Sequence, residues 1–161
     1  MRHIVDDTQA IIVDYQEKLV PVMNDAQTLE KNSCILIKGL KALGVPMTIT
    51  QQYTKGIGMT IPSIFEAAET EEYMDKIGFS SYGQEDIKAR IDQIGKKTVI
   101  VCGIEAHICV LQTCIDLKEA GYEPVLVTDC ISSRKARDTE MAITRAVSEG
   151  ITVTTYESIL F

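Results

Sequence analysis

The chain has 161 residues, 45% hydrophobic and 24% charged, which fits one domain able to bury its own core without disulfide or metal staples. Its formal net charge of -7 argues against non-specific binding to nucleic acid or to an anionic membrane. No stretch is long and apolar enough for a signal peptide or a bilayer span, so the expected compartment is the cytoplasm, where thiols stay reduced.

Taken in chain order, Ala10–Tyr15 reads as a buried strand that closes on a carboxylate, Asp14. Leu29–Leu43 carries Ile35, Leu36, Leu40 and Leu43 at helical spacing and is stopped by Gly44. Pro46–Thr50 is the next strand, and Thr54–Gly58 reads as a loop. Ile61–Phe65 opens a short helix with Pro62 in its first turn. Gln84–Ile94 is a helix closed by Gly95, Thr98–Cys102 a strand closed by Gly103, and Ile108–Ala120 a helix closed by Gly121. Pro124–Asp129 is a strand, Asp138–Ser148 a helix closed by Gly150, and Ile151–Thr155 the last strand.

Strands that are apolar throughout, separated by helices of this length, indicate βαβ units and a parallel sheet covered on both faces. The expected fold is therefore α/β: a three-layer α/β/α doubly wound domain, residues 1–161, with a mainly parallel sheet of five or six strands. The five cysteines, Cys34, Cys102, Cys109, Cys114 and Cys130, are odd in number and contain no C-x-x-C pair. That pattern indicates neither a disulfide framework nor a zinc knuckle, and for four of them the plain reading is a small core residue.

Sites in open parallel sheets form beyond the carboxyl ends of the strands. Asp14, Gln51-Gln52-Tyr53 and the Gly103–Cys109 connection all fall there. Cys109 stands where a loop becomes a helix, and unpaired N–H groups at a helix start lower a thiol's pKa; a core cysteine is the competing reading. Asp14 ends an apolar strand, where a carboxylate is costly unless paired or used; a turn or helix cap is its alternative, and Asp129 carries the same ambiguity.

The segment Val101–Thr113 (VCGIEAHICVLQT) resembles the nucleophile motif of isochorismatase-like cysteine hydrolases. Ile11–Gln16 (IIVDYQ) is similar to that superfamily's first strand with its aspartate, and Asp75–Tyr82 (DKIGFSSY) to the segment that carries its lysine. The resemblance runs over nearly the whole chain, and Thr50–Gly56 (TQQYTKG) is most similar to the small isochorismatase domain-containing branch. It implies a catalytic triad of Asp14, Lys76 and Cys109: a general base, a cation that holds both ionised partners, and a nucleophile. Without the family, Lys76 would read as a solvated surface lysine. The resemblance also implies a non-proline cis peptide at Ile104–Glu105 and an oxyanion hole built from the Glu105 and Cys109 N–H groups. Tyr15, Gln16, Gln52, Tyr53, Phe79 and Tyr82 are the expected substrate-binding residues, with packing or a subunit contact as the alternative for Phe79 and Tyr82.

Nicotinamidases of this superfamily place an Asp-x-His metal motif after the second strand. The matching residues here are Gln52 and Thr54, poor ligands for a divalent metal. The expectation is no metal, no cofactor and no nicotinamidase activity. His107, one of only two histidines, reads as a supporting or surface residue. The expected protein is a metal-independent hydrolase, acting on a small amide, imide or related C–N or ester-like bond through a thioester-type intermediate. Its partners are a small-molecule substrate and further copies of itself, with no nucleic acid and no membrane. The competing classes are a redox-responsive regulator that uses Cys109 without turnover and an oligomeric binding module with a vestigial triad.

Overall fold

The computed structural model describes residues 2–161. Six strands form one sheet: β1 (Thr8–Val13), β2 (Met47–Gln52), β3 (Met74–Lys76), β4 (Thr98–Ile104), β5 (Glu123–Ser132) and β6 (Thr152–Thr154). They lie in the order β3-β2-β1-β4-β5-β6, and every pairing is parallel. Chain direction across the sheet therefore reverses between β1 and β4, and the crevice beyond their carboxyl ends is where this architecture opens a site.

β1 is buried along its whole length because both of its faces are apolar. Ala10 and Ile12 join one core, Ile11 and Val13 the other. The first core is closed by α1 (Ala26–Ala42), α3 (Pro62–Ala68) and α7 (Tyr156–Leu160). The second is closed by α4 (Glu85–Ile94), α5 (Leu111–Glu119) and α6 (Ala136–Ser148). This is the expected three-layer arrangement.

Several elements depart from the sequence reading. Thr54–Ile57, expected as a loop, is a single helical turn, α2. β5 runs past Asp129 to Ser132, slipping register against β4 between Val101 and Gly103. β3 was not expected at all: three residues, Met-Asp-Lys, are too few to carry a period-two signal. The helix expected from Ile108 begins instead with a π turn, Ala106–Val110, that leads into α5. Gly103 adopts φ +136°, and a side chain there would collide with the Val13 carbonyl oxygen. β1 and β4 thus close on each other where both end.

Candidate active site

Asp14 follows the last residue of β1 and takes a left-handed backbone, φ 54°, a conformation that aspartate tolerates better than most residues. Its carboxylate is fully buried: Oδ1 accepts the Thr50 hydroxyl at 2.8 Å, and Oδ2 lies 2.8 Å from Lys76 Nζ. Lys76, the last residue of β3, is also fully buried. Its ammonium donates to Gln52 Oε1 at 2.7 Å, to the Phe79 carbonyl at 2.8 Å and, more weakly, to the Gly78 carbonyl at 3.2 Å. Asp14 Oδ2 thus faces the ammonium as a buried ion pair, and the rest of the ammonium's contacts are neutral oxygens.

Cys109 lies in the π turn, 8% exposed, with its thiol beside Asp14 and Lys76. Burial, then the Asp14 charge, push the thiol up to about 12, with Lys76 pulling the other way. This corrects the expectation of a lowered thiol pKa: loss of solvent outweighs the helix start. Burial also raises the Asp14 carboxyl, against the opposing pull of Lys76 and the hydrogen bonds of Thr50 and Cys109. The ion pair with Lys76 favours the Asp14 carboxylate, and burial favours the neutral thiol. Losing the thiol proton to water would leave a buried net negative charge. Passing it to Asp14 leaves the net charge unchanged, so the internal transfer avoids the electrostatic cost that lifts the thiol pKa.

Residues that the sequence did not single out hold the three in place. The Thr113 hydroxyl donates to the Cys109 carbonyl at 2.7 Å and accepts the Ser81 N–H at 2.8 Å. Ser81 Oγ lies 3.3 Å from the Thr50 hydroxyl that binds Asp14, which closes a chain from Cys109 to Asp14. The signal for Thr113 was its spacing: four residues after Cys109, it sits one helical turn on. Glu105, joined to Ile104 by a cis peptide, accepts Arg134 Nε at 3.1 Å and the Arg134 backbone N–H at 3.1 Å. His107 Nδ1 pairs with Ser133 Oγ at 2.8 Å. Asp129, on β5, accepts the Tyr156 N–H at the start of α7, whose N-cap is Thr155.

The residues expected to wall the pocket lie in unlike surroundings. Tyr15 is 1% exposed, and its hydroxyl is bound to Ser33 Oγ and the Cys130 carbonyl within the first core. Gln16 is a buried clamp: its amide binds the Gln52 and Gly58 carbonyls and the Gln52 N–H. Tyr82 packs in the second core, with its hydroxyl on Asp92. Gln52 faces Lys76 and the Ile77 carbonyl. Of the six, Tyr53 and Phe79 are the exposed ones, at 50% and 55%. The residues at the nicotinamidase metal positions do not fit a metal: Gln52 is a neutral amide already engaged, and the Thr54 hydroxyl is bound to Asp75 and Gln51. Among the described residues no group of three or more His, Cys, Asp or Glu could hold a metal ion.

The sequence profile of the isochorismatase domain matches residues 8–158. An isochorismatase domain-containing protein 2 from Danio rerio is 33% identical over 93% of this chain and 75% of its own length. A solved structure described as the MAR1 ribonuclease from Caenorhabditis elegans is 33% identical, with TM-score 0.90, covering 99% of this chain and 82% of that one. An octameric hydrolase of unknown specificity from Escherichia coli is 21% identical, with TM-score 0.93, covering 99% of this chain and 80% of that one, a likeness of fold.

Proposed function

Because the chain belongs to the isochorismatase family and is an isochorismatase-like hydrolase, we propose that Cys109, Asp14 and Lys76 catalyse metal-independent hydrolysis of a small amide, imide or related C–N or ester-like substrate. The observation that carries this reading is the Asp14 carboxylate, fully buried against the Lys76 ammonium at 2.8 Å and beside the Cys109 thiol. A carboxylate oxygen in that state is the acceptor a thiol needs.

Cys109 Sγ attacks the acyl or imidoyl carbon while its proton passes to Asp14 Oδ2. The oxyanion is met by the backbone N–H groups of Glu105 and Cys109. The C–N bond breaks, the leaving nitrogen takes the proton from Asp14, and a thioester-type intermediate remains on Cys109. Asp14 then takes a proton from water, whose oxygen attacks the same carbon. The C–S bond breaks, the acid departs and the proton returns to sulfur. Lys76 keeps its charge throughout and offsets whichever partner is anionic.

A regulator that senses oxidants through Cys109 needs a standing thiolate population, whereas burial favours the neutral thiol at rest. RNA cleavage, the activity named for the nematode neighbour, calls for a cationic surface, whereas this chain carries -7. The octameric neighbour supports assembly into a homo-oligomer. The five free thiols suit a reducing compartment such as the cytoplasm. No described helix is long and apolar enough to cross a membrane.

The test is a panel of small amides, imides and esters offered to wild type and to Cys109→Ala. Turnover is expected with wild type alone, with an acyl adduct on Cys109 visible by mass spectrometry. Turnover that survives the substitution overturns covalent catalysis.

A further inference from the structure

Besides its 2.8 Å ion pair with Asp14, the Lys76 ammonium meets three neutral oxygens, a set the triad reading leaves unexplained. Gln52 Oε1 accepts from Lys76 Nζ at 2.7 Å, the shortest of the ammonium's hydrogen bonds. The other end of the same amide, Nε2, donates to the Ile77 carbonyl at 2.7 Å. Only one orientation of the amide meets both demands, since the ammonium needs an acceptor and the carbonyl a donor. The Gln52 backbone is itself fixed, because Gln16 accepts its N–H at 2.6 Å and donates to its carbonyl at 2.9 Å. Gln16 is wholly buried, so this clamp is sheltered from competing water.

We propose that Gln52 is a positioning residue that fixes the Lys76 ammonium through a neutral acceptor, so that the lysine charge stays undivided for Asp14 and Cys109; this rests on the triad reading. The charged and titratable groups facing the ammonium are Asp14 from the end of β1 and Cys109 from the π turn. From β2 and the Ile77–Phe79 loop it meets only the Gln52 amide and the Gly78 and Phe79 carbonyls. Neutral oxygens satisfy its protons without cancelling its charge. A carboxylate at Gln52 would share the lysine with Asp14 and make the triad bind a proton more tightly.

The experiment follows carbamidomethylation of Cys109 by iodoacetamide across the acid-to-neutral range, read at the Cys109 peptide by mass spectrometry, and needs no substrate. Wild type should show a plateau that falls as the triad takes up a proton on the acid side. In Gln52→Glu the fall should move upward by about one pH unit, a roughly tenfold slower reaction at a fixed pH on that limb. Gln52→Met, which keeps the length and loses the acceptor, should keep the wild-type limb and react several-fold more slowly on the plateau. A Gln52→Glu limb that coincides with wild type overturns the proposal. If that variant lacks a cooperative thermal transition, a Gln52→Met plateau within about twofold of wild type overturns it instead, and a several-fold loss supports it. Lys76→Met separates the two readings. If it too leaves plateau and limb in place, the triad reading itself fails; if only Lys76→Met changes them, Gln52 alone is refuted.

Discussion

On the proposed mechanism the Cys109 proton passes to Asp14 rather than to solvent, and that route governs what single substitutions should do. Asp14→Asn removes the acceptor while keeping the shape, and should lower turnover of any amide found in the panel by about 10²–10⁴-fold, the usual worth of a positioned base. Activity should also fall with acid. The base must be ionised, and burial sets the Asp14 carboxyl above its ordinary 3.8. The acid limb of kcat/KM should therefore lie above that value, and a limb at or below it would contradict the buried-base reading. At this scale Asp14 stood out as a carboxylate closing an apolar strand and Cys109 as a thiol at a helix start, each with a plain structural alternative. Lys76 was legible only through the family resemblance, since a lysine in a three-residue strand otherwise looks like surface. Tyr15 was misplaced for a definite reason: the left-handed Asp14 breaks strand alternation and turns the next side chain into the first core.

Among the elements, the meeting of β1 and β4 determines whether Asp14 and Cys109 are adjacent. Gly103 pairs with Val13 across that seam with no room for a methyl group. Gly103→Ala should cost about 2–5 kcal/mol, as backbone collisions in a core do, read as a lower urea midpoint; an unchanged midpoint would mean the seam is soft. The long elements were legible because apolar runs and glycine stops are local signals: α1, α4, α6, β1 and β4 all fall close to where they were expected. The π turn and β3 were not legible. A π turn differs from an α-helix by one residue in its hydrogen-bond register, which side-chain periodicity does not resolve. β3 exists because β2 offers it an edge, not because its own residues favour a strand.

Over the whole molecule the buried thiols act together. Cys102, Cys109 and Cys114 are each pushed from an ordinary 9.0 up to about 12 by burial, and Cys130 is raised likewise. Above about pH 9 the unfolded chain would release these protons while the folded chain keeps them. The folded state then binds more protons, and stability must fall as pH rises through that window. Each thiol contributes about 1.4 kcal/mol per pH unit there, so urea midpoints should drop steeply on the alkaline side. Cys114→Ala should make that drop shallower; an alkaline slope no different from wild type would show that Cys114 is not held protonated.

β3, described above as a three-residue edge strand, brings Lys76 into the triad from the rim of the sheet, while Asp14 and Cys109 flank its centre. Short edges fray at free energies well below that of global unfolding. Each such opening would strand the Asp14 carboxylate without its cation and silence the site in an otherwise intact molecule. Amide hydrogen exchange at Asp75 and Lys76 should accordingly outpace exchange in β1 and β4. In mild denaturant, activity should be lost before the sheet, so the active site would act as the protein's earliest reporter of its own loosening.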